Sequence, residues 1–232
     1  MDTNYAGLTG GPAGFQADPA GLRPYDAVKR AIDLFGALAG LVVLSPLMAA
    51  CAVAIRLDSQ GSVLFRQERV GQWGRRFTML KFRSMYPDVD PHPHIEYVTA
   101  FIRGEAPRFD SGEGLVYKLV ADKRVTRVGR WLRRMSLDEL PQLWNVLRGE
   151  MSLVGPRPPT PYEVSQYQPA HFGRLAVKPG ITGLWQVCGR STTTFQEMVA
   201  MDLEYIRRRS LWLDLKILLK TIPAVLSARG AH

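Results

Sequence analysis

Two adjacent acids, Asp138 and Glu139, stand in RRMSLDELPQLWNVLRGEMSLVGPRPP with Arg133 and Arg134 before them and Arg157 after, between two prolines. A carboxylate kept ionised at a helix N-terminus, with guanidinium groups beside it, can attack an electrophilic phosphorus, and the same N–H groups and arginines can hold phosphate. A structural reading competes with this. Ser136 followed three residues later by Glu139 has the form of a capping box, and Asp138 would be favoured in a first helical turn by the macrodipole alone. Helical geometry puts Leu137, Leu140, Leu143, Trp144 and Leu147 on a buried stripe and aims Asp138, Gln142 and Asn145 the other way, so Asp138 is expected to face outward.

A second group of residues suits an anionic ligand. KPGITGLWQVCGR, Lys178 to Arg190, combines three glycines with Gln186 and a terminal arginine, a composition that allows close backbone approach to a ligand. GxxxxGK[ST] occurs nowhere, which disfavours an ordinary P-loop nucleotidase. His92 and His94 fall in the proline-rich PDVDPHPH and read as solvated loop histidines without metal-ligand partners.

Several elements must position these residues. Residues 1–24 are rich in Gly, Ala and Pro and read as a disordered tail, with neither the basic start nor the apolar core of a signal peptide. Ala31 to Ile55 follows with Asp33 as its only charge, long enough at about 1.5 Å per residue to cross a hydrocarbon layer of about 30 Å. Ser45-Pro46 interrupts it, and both flanks are basic (Lys29 and Arg30 before, Arg56, Arg66 and Arg69 after). The residues leave a straight span and a re-entrant helix broken at Ser45-Pro46 both open. SVLFRQERVG and RRFTMLKFRSM predict a β-hairpin around Gly71 to Gly74, and residues 86–115 read as a variable connection with one helix near 95–103. Helices are expected from about Asp122, over SLDELPQLWNVLRG, after Thr160 and after Thr194, with a C-terminal apolar helix, SLWLDLKILLKTIPAVLSA, for the membrane surface or the core. The expected fold class is helix-dominated α+β: a membrane helix-break-helix over 25–57, a small β-hairpin and a helical catalytic domain over 58–232 with surface amphipathic helices.

With 232 residues, 46% of them hydrophobic, the chain can bury one ordinary core, and its net charge of +9 points to a polyanionic partner: nucleic acid, an anionic membrane or a phosphorylated substrate. Cys51 and Cys188 are too far apart in sequence to suggest a zinc site and fit a reducing compartment. No nucleic-acid reading motif is present. A basic, non-catalytic membrane anchor or a lipid- or nucleic-acid-binding protein is the alternative to an enzyme.

The ordered set of a basic pair, an apolar run broken by SP, KFRSM, SLDELPQLWNVLRGEMSLVGPRP, KPGITGLWQVCGR and SLWLDLKILLKT resembles the monotopic phosphoglycosyl transferases, the bacterial sugar transferase family, over about Tyr25 to Ser227. The resemblance implies transfer of a sugar 1-phosphate from a UDP-sugar to polyprenyl phosphate, usually undecaprenyl phosphate, with release of UMP at the start of exopolysaccharide or related glycan assembly. It implies Asp138 as the nucleophile of a covalent phosphosugar intermediate and Mg²⁺ associated with Glu139. It also implies Arg133, Arg157 and Arg190 as phosphate- or substrate-binding residues, to which Lys81 and Arg83 of KFRSM and Gln186 are added. Ser45-Pro46 becomes the break of a re-entrant helix, which would put the protein on the cytoplasmic face of the bacterial inner membrane, with room for a homodimer. The length resembles the short exopolysaccharide-type form. No family motif matches Tyr86 to Val120, so the choice of sugar stays open.

Overall fold

The computed structural model describes residues 24–87, 89–90, 92–110, 115–117, 124–189 and 192–226. The expected tail, apart from Pro24, and Arg190 lie outside the described residues. The architecture is helix-dominated α+β, as expected, with three small two-stranded sheets among the described residues.

Helix α1, Pro24–Asp58, is long and apolar enough to cross a membrane. The expected break is not a break in secondary structure, because α1 runs through Pro46. The Ser45 hydroxyl donates to the Val42 carbonyl at 2.8 Å and so replaces the N–H that proline cannot supply. One face of α1 follows the helical repeat into the protein: Asp33, Ala37, Cys51 and Ile55 are buried. The opposite face is bare, with Phe35 74%, Val43 73% and Leu57 83% exposed.

The predicted hairpin forms from β1, Leu64–Val70, and β2, Arg76–Phe82, paired antiparallel from Leu64↔Phe82 to Val70↔Arg76. Its turn is tightened by a Gly71 N–H to Arg75 carbonyl bond, with Trp73 and Gly74 at positive φ. Helix α2, His92–Arg103, starts at His92 rather than near 95, so His92 and His94 belong to a helix and not to a loop. A short pair, β3 (Phe109–Asp110) and β4 (Leu115–Val116), follows. Helix α3, Arg127–Arg134, is capped by Thr126, whose hydroxyl accepts from the Gly129 N–H at 2.9 Å.

The acidic pair is not inside the helix that the sequence predicts. Leu137–Glu139 form a single 3-10 turn, and helix α4 begins only after Pro141, over Gln142–Arg148. The expected burial pattern of this segment is corrected too: Trp144 is exposed, whereas Gln142 and Asn145 are buried. Two sides of α4 are packed, with Trp144 left outside. Leu143 packs toward Gly40 of α1, and Arg30 of α1 donates to the Val146 and Leu147 carbonyls at 2.7 and 2.9 Å, satisfying acceptors at the end of α4. On the other side the Asn145 amide accepts from the Leu80 N–H at 3.0 Å and donates to the Thr78 carbonyl at 2.8 Å, tying α4 to β2.

Strand β5, Ser152–Val154, pairs in parallel with β6, Gly180–Thr182. Thr160 caps α5, Pro161–Val164, and Thr194 with Glu197 makes a full capping box on α7, Phe195–Arg208. Between them lie a 3-10 stretch, Pro169–Ala176, and the short α6, Leu184–Cys188. Helix α8, Leu211–Leu226, takes neither expected role alone: Asp214 and Ile217 face inward, while Trp212, Leu215, Leu219 and Ile222 are exposed. Asp214 accepts from Tyr25, Lys29 and Tyr205, joining the start of α1 to α7 and α8.

Candidate active site

Ser136 adopts a left-handed backbone (φ 53°, ψ 20°), a conformation that costs a non-glycine residue roughly 1–2 kcal/mol. It makes no side-chain cap, so the capping box expected from Ser136 and Glu139 does not form. The reason is tertiary. Lys81 of β2 reaches Glu139 Oε1 with its Nζ at 2.8 Å and stands 3.9 Å from Asp138 Oδ2, drawing the glutamate away from the backbone it was expected to cap. The kink at Ser136 turns the chain so that Arg133, at the end of α3, and the two acids line the same cleft.

Asp138 is 9% exposed, so it lies on the wall of this cleft rather than facing bulk water. Burial pushes its carboxyl up; Lys81 opposes the rise and the neighbouring Glu139 reinforces it. Glu139 goes the other way. Burial acts on it as well, but Lys81, by charge and by hydrogen bond, together with Arg157 and Arg69, holds it below the usual carboxylate range. The pair is thus polarised: Glu139 is the settled anion and Asp138 the carboxylate with the higher proton affinity.

Arg157 lines the same cleft, and its loop is held from behind. Arg69 of β1 donates to the Pro158 carbonyl at 2.8 Å, Val70 N–H to Pro159 at 2.9 Å, and Arg174 to the Arg157 carbonyl at 3.5 Å. Arg174 is itself fixed by a buried ion pair with Asp202 of α7 at 2.7 Å. The β5–β6 pairing brings GPRPP against KPGITG. A side chain on Gly155 would collide with the Lys178 carbonyl at 2.5 Å, and one on Gly180 with the Gly155 backbone. These glycines serve the approach of one motif loop to the other, whereas the sequence suggested approach to a ligand.

Of the other expected site residues, Arg133 and Gln186 reach the cleft, Arg133 with its Nε donating to Ser84 at 2.9 Å. Arg83 does not line it. Its guanidinium donates to the carbonyls of Ser59 and Gln60 and to the Ser59 hydroxyl, closing the chain after α1.

Two contributors were missed. Arg69, read only as a basic flank, is 5% exposed and lines the cleft beside Glu139 and Arg157, with burial pulling its guanidinium down to about 10. Its strand face carries Phe65 and Gln67 as well, so no hydrophobic period distinguishes it. The other is α2, within the supposed variable connection, which brings His94, Tyr97, Val98, Phe101 and Ile102 to the cleft. The i, i+3/i+4 spacing of Ile95, Val98 and Ile102 was the signal for this face. The whole cleft has a volume of about 720 Å³, runs from the acid pair to Thr221 and Val225 of α8, and is cationic and acidic at one part of its wall and aromatic at another. Among the described residues no three of His, Cys, Asp or Glu converge as a metal-binding set.

Fold and cleft define a class: a small helix-rich domain built along one long apolar helix, with an acidic dyad set among cations. The chain belongs to the bacterial sugar transferase family, whose profile matches residues 24–228. It is 41% identical over 204 residues to the exopolysaccharide production protein ExoY of Rhizobium meliloti, with 88% of each chain covered. It is 43% identical over 204 residues to the galactosyl transferase CpsE of Streptococcus agalactiae, covering 88% of this chain and 43% of that one. To the undecaprenyl-phosphate glucose phosphotransferase of Komagataeibacter xylinus it is 44% identical over 214 residues, 88% of this chain and 36% of the relative. The chain therefore spans less than half the length of the second and third of these and most of the length of ExoY.

Proposed function

We propose that the protein is a phosphoglycosyl transferase that moves a sugar 1-phosphate from a UDP-sugar to polyprenyl (undecaprenyl) phosphate, beginning exopolysaccharide or related glycan assembly. The observation that carries this reading is the unequal sharing of Lys81 by Asp138 and Glu139 within a cleft that also holds Arg69, Arg133 and Arg157. An Asp138 oxygen attacks the β-phosphorus, the bond from that phosphorus to the bridging oxygen breaks, and UMP leaves with the electron pair. An oxygen of polyprenyl phosphate then attacks the same phosphorus, the Asp138–phosphorus bond breaks and the carboxylate is restored. Two successive displacements let a soluble donor and a lipid acceptor use one site in turn. Arg133, Arg157, Lys81 and Arg69 offset the repulsion between carboxylate and diphosphate. Gln186 and Arg190 complete the proposed substrate-binding set.

Glu139, with Asp138 adjacent, fits Mg²⁺, which commonly takes one or two carboxylates and fills its remaining positions with substrate phosphate and water. When bound it would supply charge neutralisation on the diphosphate.

The reading extends to the membrane. Packed contacts recur on one face of α1 from Asp33 to Ile55, which supports a helix held against the domain along its length. A helix that enters one leaflet by its bare face and returns to the cytoplasmic side of the inner membrane accommodates both this packing and the basic flanks.

The test is release of UMP by the purified protein from a panel of UDP-sugars with undecaprenyl phosphate and Mg²⁺. Turnover with one or more donors is expected. Silence across the whole panel by folded protein would favour a non-catalytic anchor.

A further inference from the structure

The Tyr97 hydroxyl on α2 is buried and, among the described residues, has no hydrogen-bond partner, yet the residue lines the cleft that holds Asp138 and Glu139. An unmet hydroxyl of this kind costs roughly 1–3 kcal/mol, so it persists where something else is gained. Its surroundings are aromatic. Phe109 lies 6.1 Å from its ring, and Phe101, one helical turn further along α2, packs on Tyr117 at 5.4 Å and edge-on to Phe195 at 5.9 Å. Trp185 of α6 and Phe195 of α7 border the same cleft. A diphosphate needs cations, and those lie with the acid pair. An aromatic wall that encloses one hydroxyl, and that must give slightly for a ligand to reach it, suits the other half of a nucleotide sugar, a ring with an apolar face and a hydrogen-bonding edge.

We propose that Tyr97 is a donor-recognition residue, whose hydroxyl is satisfied only when the uracil or the sugar of the bound nucleotide sugar meets it, with Phe101 and Tyr117 forming the wall beside it. This rests on the transferase reading above. It also assigns a task to α2, which the sequence alone placed within a variable connection.

The isosteric variant Tyr97→Phe removes the hydroxyl and keeps the ring. In free protein it should leave the melting temperature unchanged or raise it, because no hydrogen bond is lost. With donor, KM should rise about three- to tenfold with kcat largely kept, the equivalent of one net hydrogen bond. UMP binding measured by calorimetry separates the two rings. A matching loss of UMP affinity assigns the uracil; unchanged UMP affinity with an altered preference among epimeric UDP-hexoses assigns the sugar. Unchanged donor KM and unchanged UMP binding in Tyr97→Phe overturn the proposal, whereas failure of the wild type to turn over any donor overturns the transferase reading instead.

Discussion

Lys81 donates to Glu139 at 2.8 Å and reaches Asp138 only at 3.9 Å, so a single ammonium group divides two neighbouring carboxylates into a strongly paired and a weakly paired one. Burial raises the weakly paired Asp138, and the cation lowers Glu139. The site thereby contains one strongly paired carboxylate and one of higher proton affinity, and opposite consequences follow for the two.

Asp138→Asn should remove turnover, by at least about 10³-fold, and abolish any trapped phosphosugar adduct. Its effect on stability should have the reverse sign. A carboxyl whose folded pKa is raised favours the folded state at low pH, and that contribution is lost as pH climbs above the unfolded value of about 3.9. At neutral pH the asparagine variant should therefore melt no lower than the wild type. A lower melting temperature together with retained activity would sink the nucleophile assignment.

Glu139→Gln should destabilise the protein at pH 7 by about 1.5–3 kcal/mol, because a charge-assisted hydrogen bond to Lys81 is weakened. The wild-type contribution is present above the unfolded value of about 4.3 and disappears as pH falls through the lowered folded value, so the variant and wild type should converge in acid. Lys81 is then free to pair with Asp138. The acid limb of the pH–rate profile should move to lower pH in whatever activity remains, and a limb that stays in place would show that Glu139 does not set the protonation of its neighbour.

Asp33, the single charge in the apolar run, is 3% exposed and accepts from the Ser152 hydroxyl at 3.0 Å and the Leu153 N–H at 2.9 Å. Asp33→Ala leaves the Leu153 N–H without its acceptor, while the Ser152 hydroxyl keeps the Val154 carbonyl at 3.0 Å, and should cost about 1–3 kcal/mol, with α1 loosened from β5. Denaturant melts in detergent measure this. An unchanged midpoint would mean that α1 is an appended anchor and not part of the folded core.

The topology is open to labelling. With Cys188→Ser to silence the exposed native thiol, cysteines introduced by Ala27→Cys and Gln60→Cys should react with an impermeant maleimide from the same side of sealed vesicles. Reaction from opposite sides would establish a straight crossing.

Much of this molecule is written locally. The hairpin follows from alternation around a glycine turn, the start of α7 from a Thr-x-x-Glu cap, and the long helix from a predominantly apolar composition, because each depends on residues a few positions apart. The adjacency of Asp138 and Glu139, and their arginine neighbours, is equally a property of the chain. What the chain alone could not decide is where these groups point. The Ser-x-x-Glu counterpart of the Thr-x-x-Glu box that caps α7 fails at Ser136, since Lys81, 58 residues from Glu139, competes for the glutamate across the fold. Arg83, from the same short motif as Lys81, turns instead to the end of α1. Asn145 is buried because β2 covers a face that helical periodicity alone marks as polar, and Arg69 and Tyr97 join the cleft through β1 and α2. Local propensity operates over one or two turns, whereas the direction of a side chain in a packed protein is settled by whichever distant partner satisfies its charge or hydrogen bonds, and only the tertiary structure supplies that partner.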